Sequence, residues 1–300
     1  MTSSTKNVIP NFFVALDDRV DLCAEVLETS GEPSAADREQ AANLKRVVFD
    51  GITTAVENGL QKSHIGLWAD SDLGESVLLR AKAMSMTTAS SPGSRAHSLD
   101  RLDVDFTAVQ LTLNPDGPKD AREELLDRLK IVSDKARDES ISLLIELDSV
   151  PTTAQTEIHG STESARAMLL IMAIQQLQDV GVSPAIWAFE PAKDDTLTET
   201  IAAKIQIDSS NSNALLVVGG ELSVGKIGNN LSETEKRTIR TAARTPGITG
   251  VLIGPEAYFR HLVQLNVGLI DRNEAVDVIA SYLGDIGGVF EQSFTASEIL

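Results

Sequence analysis

The chain of 300 residues is 42% hydrophobic and 23% charged, a composition that suffices for the core of one large domain or two small ones. Its formal net charge of −18 repels phosphate groups, which argues against binding to nucleic acids or to anionic membranes. We find neither a signal-peptide pattern nor an apolar run of roughly 18 residues, and so predict a soluble cytoplasmic protein. The single cysteine, Cys23, excludes an internal disulfide, and we expect a buried thiol there.

Short apolar segments of strand length recur along the whole chain, each bounded by turn residues, as is typical of strands that are covered on both faces. They span residues 11–17, 64–70, 85–90, 104–113, 142–147, 185–193, 213–220 and 250–254. Segments with helical periodicity and capping residues alternate with these strands. The predicted helices span residues 35–58, 73–84, 120–137, 162–180, 195–207, 232–244, 255–265 and 272–290, with Asp72 as the cap of the second.

Eight strands that alternate with helices, in units of about 35 residues, predict a (β/α)8 TIM barrel more than an open doubly wound sheet. The open sheet would favour dinucleotide binding, but no strand is followed by the Gly-x-Gly-x-x-Gly fingerprint. We therefore predict a single barrel domain over residues 11–292, with a flexible N-terminus at 1–10 and a C-terminal tail at 293–300.

Acidic residues stand at the ends of several predicted strands, where the loops of a parallel barrel build the active site. Asp17, Arg19 and Asp70 follow the first two strands. Glu146 lies within the fifth strand and Glu190 ends the sixth. Because burying a carboxylate among apolar residues is costly unless it is paired or has a task, Glu146 and Glu190 are the strongest catalytic candidates.

Other kinds of site find less support in the sequence. The four histidines show no i, i+4 pairing, so we predict no metal site and no cofactor; they are His64, His97, His159 and His261. Residues 219–226 and 254–258 follow the last two strands, where many barrels bind phosphate on backbone N–H groups. Plain turns explain these segments equally well, because Pro255 has no N–H.

Five segments of the chain carry a family resemblance. They are Phe13–Arg19, Asp70–Gly74, Asp105–Pro115, Trp187–Pro191 and Pro246–Gly254. In this order they resemble the aldolase-like barrel domain at the carboxyl end of bifunctional 5-dehydro-2-deoxygluconokinase. That domain is similar to class I aldolases of the tagatose-bisphosphate type. The resemblance implies a lyase that cleaves sugar phosphates through a lysine Schiff base, in sugar-phosphate or inositol catabolism.

The chain departs from the family pattern at its cationic positions. Ala188 stands where the family has the Schiff-base lysine, and alanine offers no amine. Ala108, Thr112 and Pro255 replace a lysine and two arginines of the family, which removes the expected phosphate contacts. Lys193 is the lysine near the sixth strand that would substitute for the missing one.

Three hypotheses for function remain open at this point. The first is an aldolase-like carbon–carbon lyase for a small molecule such as a sugar phosphate, with imine catalysis lost or rerouted. The second is a non-catalytic barrel that binds a small molecule or a partner protein. The third is a divalent-metal lyase that uses Asp70, Glu146 and Glu190. The sequence leaves open whether the chain forms a homo-oligomer.

Overall fold

Eight parallel strands close into a barrel in which each strand pairs with its neighbours in sequence and the eighth pairs with the first. The computed structural model describes residues 9–91, 103–207, 212–219 and 230–297. The strands, β1 to β8, are Phe12–Leu16, Ile65–Asp70, Thr87–Ser91, Phe106–Thr112, Ser142–Asp148, Ile186–Phe189, Asn213–Val218 and Ile248–Ile253. The predicted (β/α)8 barrel is thereby confirmed.

Helices surround this barrel. The α-helices, α1 to α10, are Leu22–Glu25, Ala35–Glu57, Glu75–Ala83, Lys119–Asp138, Thr153–His159, Thr162–Asp179, Asp195–Ile207, Glu233–Arg244, Phe259–Asn266 and Arg272–Ser297. Two 3-10 turns, Lys62–His64 and Pro255–Ala257, precede β2 and α9. The last helix continues past residue 292, where the sequence predicted the start of a tail, whereas most of the predicted N-terminal segment lies outside the described residues.

Several local predictions need correction. The sequence analysis missed the short helices α1 and α5, whose N-termini are capped by the side chains of Asp21 and Thr152. The predicted cap Asp72 does not cap α3, because that helix begins two residues later than predicted, after Gly74. Asp72 instead pairs with Arg38 on α2. The prediction of a buried thiol at Cys23 is confirmed.

The core has an inner and an outer layer, because successive side chains of a strand point to opposite faces of the sheet. Inside the barrel lie small and aromatic side chains, including Phe13 and Phe106, whose rings meet edge to face at 5.8 Å. Ala188 belongs to this interior cluster and is fully buried. The outer layer packs the other strand faces against the helices. The filled interior leaves the carboxyl ends of the strands as the place for a site.

Within the described ranges, no helix combines the length and the apolar character that crossing a membrane requires.

Candidate functional site

Arg19 lies across the mouth of the barrel, the face where the carboxyl ends of the strands meet. Its Nε donates to Oδ1 of Asp17 at 2.6 Å, and its Nη2 donates to Oε2 of Glu146 at 2.7 Å. The guanidinium carbon lies 4.8 Å from the ring centroid of Trp68, a cation–π distance. Only 8% of the Arg19 side chain is exposed. One cation thus joins the loop after β1 to β5 and covers the interior aromatic layer.

Two buried carboxylates, those of Asp17 and Glu146, share this guanidinium, and the arrangement shifts the pKa of Glu146 and of Arg19. Burial raises the pKa of Glu146 above its ordinary value of 4.5, and the negative charge of Asp17 adds to the shift, although Arg19 opposes it. Burial also disfavours the charged form of Arg19, but the carboxylates of Asp17 and Glu146 outweigh this and raise its pKa. Gln110 donates to Oε1 of Glu146 at 3.4 Å. Glu146 is therefore a carboxyl group that holds a proton more readily than an exposed glutamate.

A small pocket of about 110 Å³ adjoins Glu146. Its polar lining consists of Gln110, Thr112, Glu146, Asp148, Arg166 and Glu190. Because a water molecule occupies roughly 30 Å³, the pocket has room for about four waters or a group of a few heavy atoms. It can enclose the reacting part of a small molecule but not a whole sugar.

Arg166, on α6, holds the outer wall of this pocket. Its Nη2 lies 2.7 Å from Oδ1 of Asp148, and its Nη1 lies 2.7 Å from Oε2 of Glu190. In the strand register Glu146 stands opposite Ala188, so Glu190 lies two residues farther toward solvent. Its side chain is 38% exposed. Glu190 thus lies at the rim of the pocket and Glu146 at its base.

Asp70 lies apart from this network. Its carboxylate pairs with the ammonium group of Lys45, which also donates to the main-chain oxygens of Leu16 at 2.5 Å and Asp17 at 3.2 Å. The backbone N–H of Leu73 donates to Asp70 at 2.6 Å. Burial would raise the pKa of Asp70, but Lys45 and the backbone N–H groups outweigh it and lower the pKa below 3.8. These contacts hold the ends of β1 and β2 together.

Lys193 follows β6 and lines an adjoining cleft of about 520 Å³ between α6 and the loop after that strand. This cleft shares Arg166 and Glu190 with the pocket beside Glu146. In the described part of the chain, no lysine lines the pocket itself. The structure therefore brings Asp17, Arg19 and Glu146 together, places Glu190 at the edge of the same pocket with Lys193 in the adjoining cleft, and holds Asp70 in a different ion pair.

The carboxyl group of Glu256 lies beside the ends of β7 and β8. A Cβ atom built on Gly219 would lie 2.6 Å from Oε2 of Glu256, and one on Gly254 would lie 2.5 Å from the same atom. Gly219 also has a φ of +93°, which L side chains rarely adopt. The glycines leave room for the side chain of Glu256, so a carboxyl group occupies the space where many barrels bind phosphate. Residues 220–226 of the predicted phosphate segment lie outside the described residues.

The structure pairs the carboxylates of the hypothetical metal-dependent lyase, Asp70, Glu146 and Glu190, with three different cationic side chains. Among the described residues, no group of three or more His, Cys, Asp or Glu side chains could hold a metal ion. The metal hypothesis thus gains no support from this arrangement. His97 lies outside the described residues.

Sequence reasoning missed Lys45 and Arg166, and each carries a signal in its position. Lys45 follows Ala41 by four residues and precedes Val48 by three, so it lies on the apolar face of α2. Arg166 stands near the N-terminus of α6, where the helix dipole disfavours a cation that has no carboxylate partner. Either feature predicts a buried ion pair, although neither identifies the partner.

Comparisons with known proteins agree with this fold. The sequence profile of a family described as "Uncharacterized protein conserved in bacteria (DUF2090)" matches residues 1–292. No curated protein matches the chain.

Three solved structures resemble the barrel. Cgl0159 from Corynebacterium glutamicum is 13% identical with a TM-score of 0.54, over 90% of this chain and 84% of that one. The YdjI aldolase from Escherichia coli K12 is 10% identical with a TM-score of 0.53, over 97% and 94%. An archaeal fructose 1,6-bisphosphate aldolase is 10% identical with a TM-score of 0.50, over 91% and 94%. At these identities the likeness establishes an aldolase-like barrel fold and nothing finer.

Proposed function

The chain belongs to the DUF2090 family of bacterial proteins, and we propose that it is an aldolase-like barrel enzyme. It uses proton transfer at Glu146, without a Schiff base, and acts on a small uncharged polyhydroxylated substrate. One observation carries the proposal. Glu146 is a buried carboxyl group with a raised pKa, and it lines an open pocket at the mouth of the barrel. A carboxyl group whose pKa is raised in this way is suited to accept and return a proton.

The surroundings of Glu146 suit carbon–carbon bond cleavage next to a hydroxyl group. In such a step the substrate carries a carbonyl group two carbons from the hydroxyl group, and Glu146 takes the hydroxyl proton. The hydroxyl carbon becomes an aldehyde as its bond to the next carbon breaks, and the electrons of that bond pass to the carbonyl unit as an enolate. Glu146 then returns its proton to the enolate carbon, which releases the second product. Arg166 and Gln110 line the same pocket and can donate hydrogen bonds to the enolate oxygen. Arg19 fixes the orientation of Glu146 through two hydrogen bonds. The aldolase-like fold and the aldolase resemblance favour this reaction over other proton transfers.

The positions of the described lysines support a mechanism without an imine. Ala188 occupies the interior position on β6 where the resembled family has its lysine. Lys45 is engaged in its ion pair with Asp70 and its contacts with two backbone carbonyls. Lys193 lines the adjoining cleft. Among the described lysines, none lines the pocket in which a carbonyl carbon would lie beside Glu146.

The charge of the pocket supports an uncharged substrate rather than the sugar phosphate that the resemblance implies. Three carboxylates line the pocket, and Arg166 is the single cation among the described lining residues. Arg166 is itself paired with Asp148 and Glu190, so the described residues that line this pocket offer no unpaired cation to a phosphate group. Neutral hydroxyl groups can instead donate hydrogen bonds to the surplus carboxylate oxygens.

A non-catalytic binding barrel is the second candidate, and Arg19 is the observation that favours it. Its buried guanidinium covers the barrel interior and is already paired with two carboxylates. Ion pairs of this kind across the mouth stabilise the fold, and a barrel stabilised in this way can bind a partner without turnover.

Incubation with aldoses, ketoses and polyols, and with their phosphates, separates these functions. Product aldehydes report turnover and line broadening in proton NMR reports binding. We expect the protein to cleave one of the uncharged sugars. We expect Glu146→Gln to lower kcat by about 10²- to 10⁴-fold with little change in the binding of that sugar. Glu123→Gln, at an exposed glutamate on α4, is the matched control. Equal turnover by Glu146→Gln would reject Glu146 as the proton carrier, and binding without turnover by the unmodified protein would favour the second candidate.

A further inference from the structure

A cleft of about 520 Å³ lies beside the pocket of Glu146, between α6 and the loop that follows β6, and shares Arg166 and Glu190 with that pocket. Its volume falls within the range of small-molecule sites, roughly 300 to 1,000 Å³. Pro191 and Ala192 form one wall and are half-buried, and Leu170 and Ile201 form the floor. The cleft therefore offers a concave and partly apolar surface.

The charged side chains around the cleft differ in whether they already have hydrogen-bond or ion-pair partners. The carboxylate of Glu163 accepts hydrogen bonds from the backbone N–H groups of Lys193 and Asp194. The guanidinium of Arg166 is paired on both sides, with Asp148 and Glu190. By contrast, the ammonium group of Lys193 has no hydrogen-bond or ion-pair partner anywhere in the part of the chain that the structure describes.

The hydrogen bonds to Glu163 hold the loop beside this amine. Because the backbone N–H groups of two successive residues bind one carboxylate on α6, the position of Lys193 at the rim is fixed relative to the floor. The backbone oxygens of Ala192 and Lys193 accept from Arg237 on α8, which holds the same loop from its other side. The backbone that carries this amine is thus held beside an apolar surface, an arrangement that suits an amphiphilic anion.

We propose that this cleft binds a short-chain organic acid, with its carboxylate on the ammonium group of Lys193 and its alkyl chain against Pro191, Ala192 and Leu170. The alkyl chain removes the apolar wall from water, and the carboxylate pairs with an otherwise unpaired cation. Inorganic phosphate fits less well, because it has no apolar part and the neighbouring Glu163 and Glu190 repel a doubly charged anion.

Titration of the full chain with acetate, butyrate, 1-butanol and inorganic phosphate tests this inference, with the amide resonances of Lys193 and Asp194 as the readout. Each methylene that is fully buried strengthens binding by up to about fourfold, so we expect butyrate to bind several-fold more tightly than acetate. We expect 1-butanol and phosphate to bind more weakly than butyrate.

Variants of two exposed lysines sharpen the test. Lys193→Met is expected to weaken butyrate binding by about fivefold, as the loss of an exposed ion pair implies. Lys119→Met, on α4, removes an equally exposed charge far from the cleft and should leave binding unchanged. The inference fails if butyrate does not perturb the two amides, if phosphate or acetate binds as tightly as butyrate, or if both variants bind butyrate alike.

Discussion

Nη2 of Arg19 lies 2.7 Å from Oε2 of Glu146, so one side chain connects the loop after β1 to β5 on the opposite side of the barrel. Both groups are buried, and Asp17 competes with Glu146 for the same cation. Two carboxylates on one guanidinium leave a surplus negative charge in a poorly solvated place. The net charge of the site therefore depends on the protonation of each of its three members, Asp17, Arg19 and Glu146.

Glu146→Gln should not destabilise the protein at neutral pH. Because the folded-state pKa of Glu146 is raised above 4.5, its contribution to stability is fully present below that pH and is lost as the pH rises through the folded pKa. Glutamine mimics the protonated form, so we expect the variant to be within about 0.5 kcal/mol of the unmodified protein or more stable. Urea unfolding at pH 5 and pH 7 measures this, with Glu123→Gln as the control. A marked loss of stability at pH 7 would show that the ion pair with Arg19 dominates.

Asp70 should have the opposite pH dependence. Its folded-state pKa is lowered, so the stability that its charge provides is present above 3.8 and is lost as the pH falls through the folded pKa. We expect Asp70→Asn to cost about 3 kcal/mol at pH 7, because it leaves a buried ammonium group unpaired. The difference from the unmodified protein should shrink in acid. Urea midpoints between pH 7 and pH 3 report the trend, and a difference that is constant over this interval would contradict the assigned direction.

Lys45→Met should be among the most destabilising substitutions of a lysine in this chain. It leaves the carboxylate of Asp70 and two backbone carbonyls without their donor, at a cost of about 3 to 5 kcal/mol. Lys62→Met, at an exposed position, is the matched control and should change the free energy of unfolding by less than about 0.5 kcal/mol. Lys45→Met with Asp70→Leu should recover part of the loss, since no charge then remains buried. If Lys45→Met and Lys62→Met had the same free energy of unfolding, the role of the ion pair between Lys45 and Asp70 would be refuted.

Borohydride reduction in the presence of a ketose should leave no sugar adduct at a specific lysine. None of the described lysines lines the pocket beside Glu146, and Ala188 cannot form an imine. Peptide mapping by mass spectrometry detects such an adduct, and the denatured protein gives the background labelling of its surface amines. A lysine that reacts only in the folded protein would restore imine chemistry.

The repeating pattern of the chain predicted the barrel because each strand is a short apolar run that ends in polar residues. The strand bounds agree within a few residues, since hydrophobic burial on both faces sets them. The start of α3 was predicted too early because Asp72 looks like a helix cap. In the structure Asp70 accepts from the backbone N–H groups of Asp72 and Leu73, a local turn that competes with the helix.

The site was predictable only in part. Strand position alone placed Asp17, Arg19 and Glu146 at one face, but it could not distinguish them from Asp70, which stands at an equivalent strand end. That distinction depends on Lys45, whose side chain reaches Asp70 from the helix layer. Tertiary contacts between residues far apart in sequence decide which carboxylate meets which cation, and hydrophobic periodicity contains no such information.

The guanidinium of Arg166 forms a partition between two cavities, since it lines both the pocket beside Glu146 and the outer cleft. A molecule that draws Arg166 or its partner Glu190 toward one cavity must change the wall of the other. Thermodynamic reciprocity then requires that the two occupants alter each other's affinity by the same factor. Any coupling between the cleft and the mouth would therefore pass through the shared wall that Arg166 and Glu190 form.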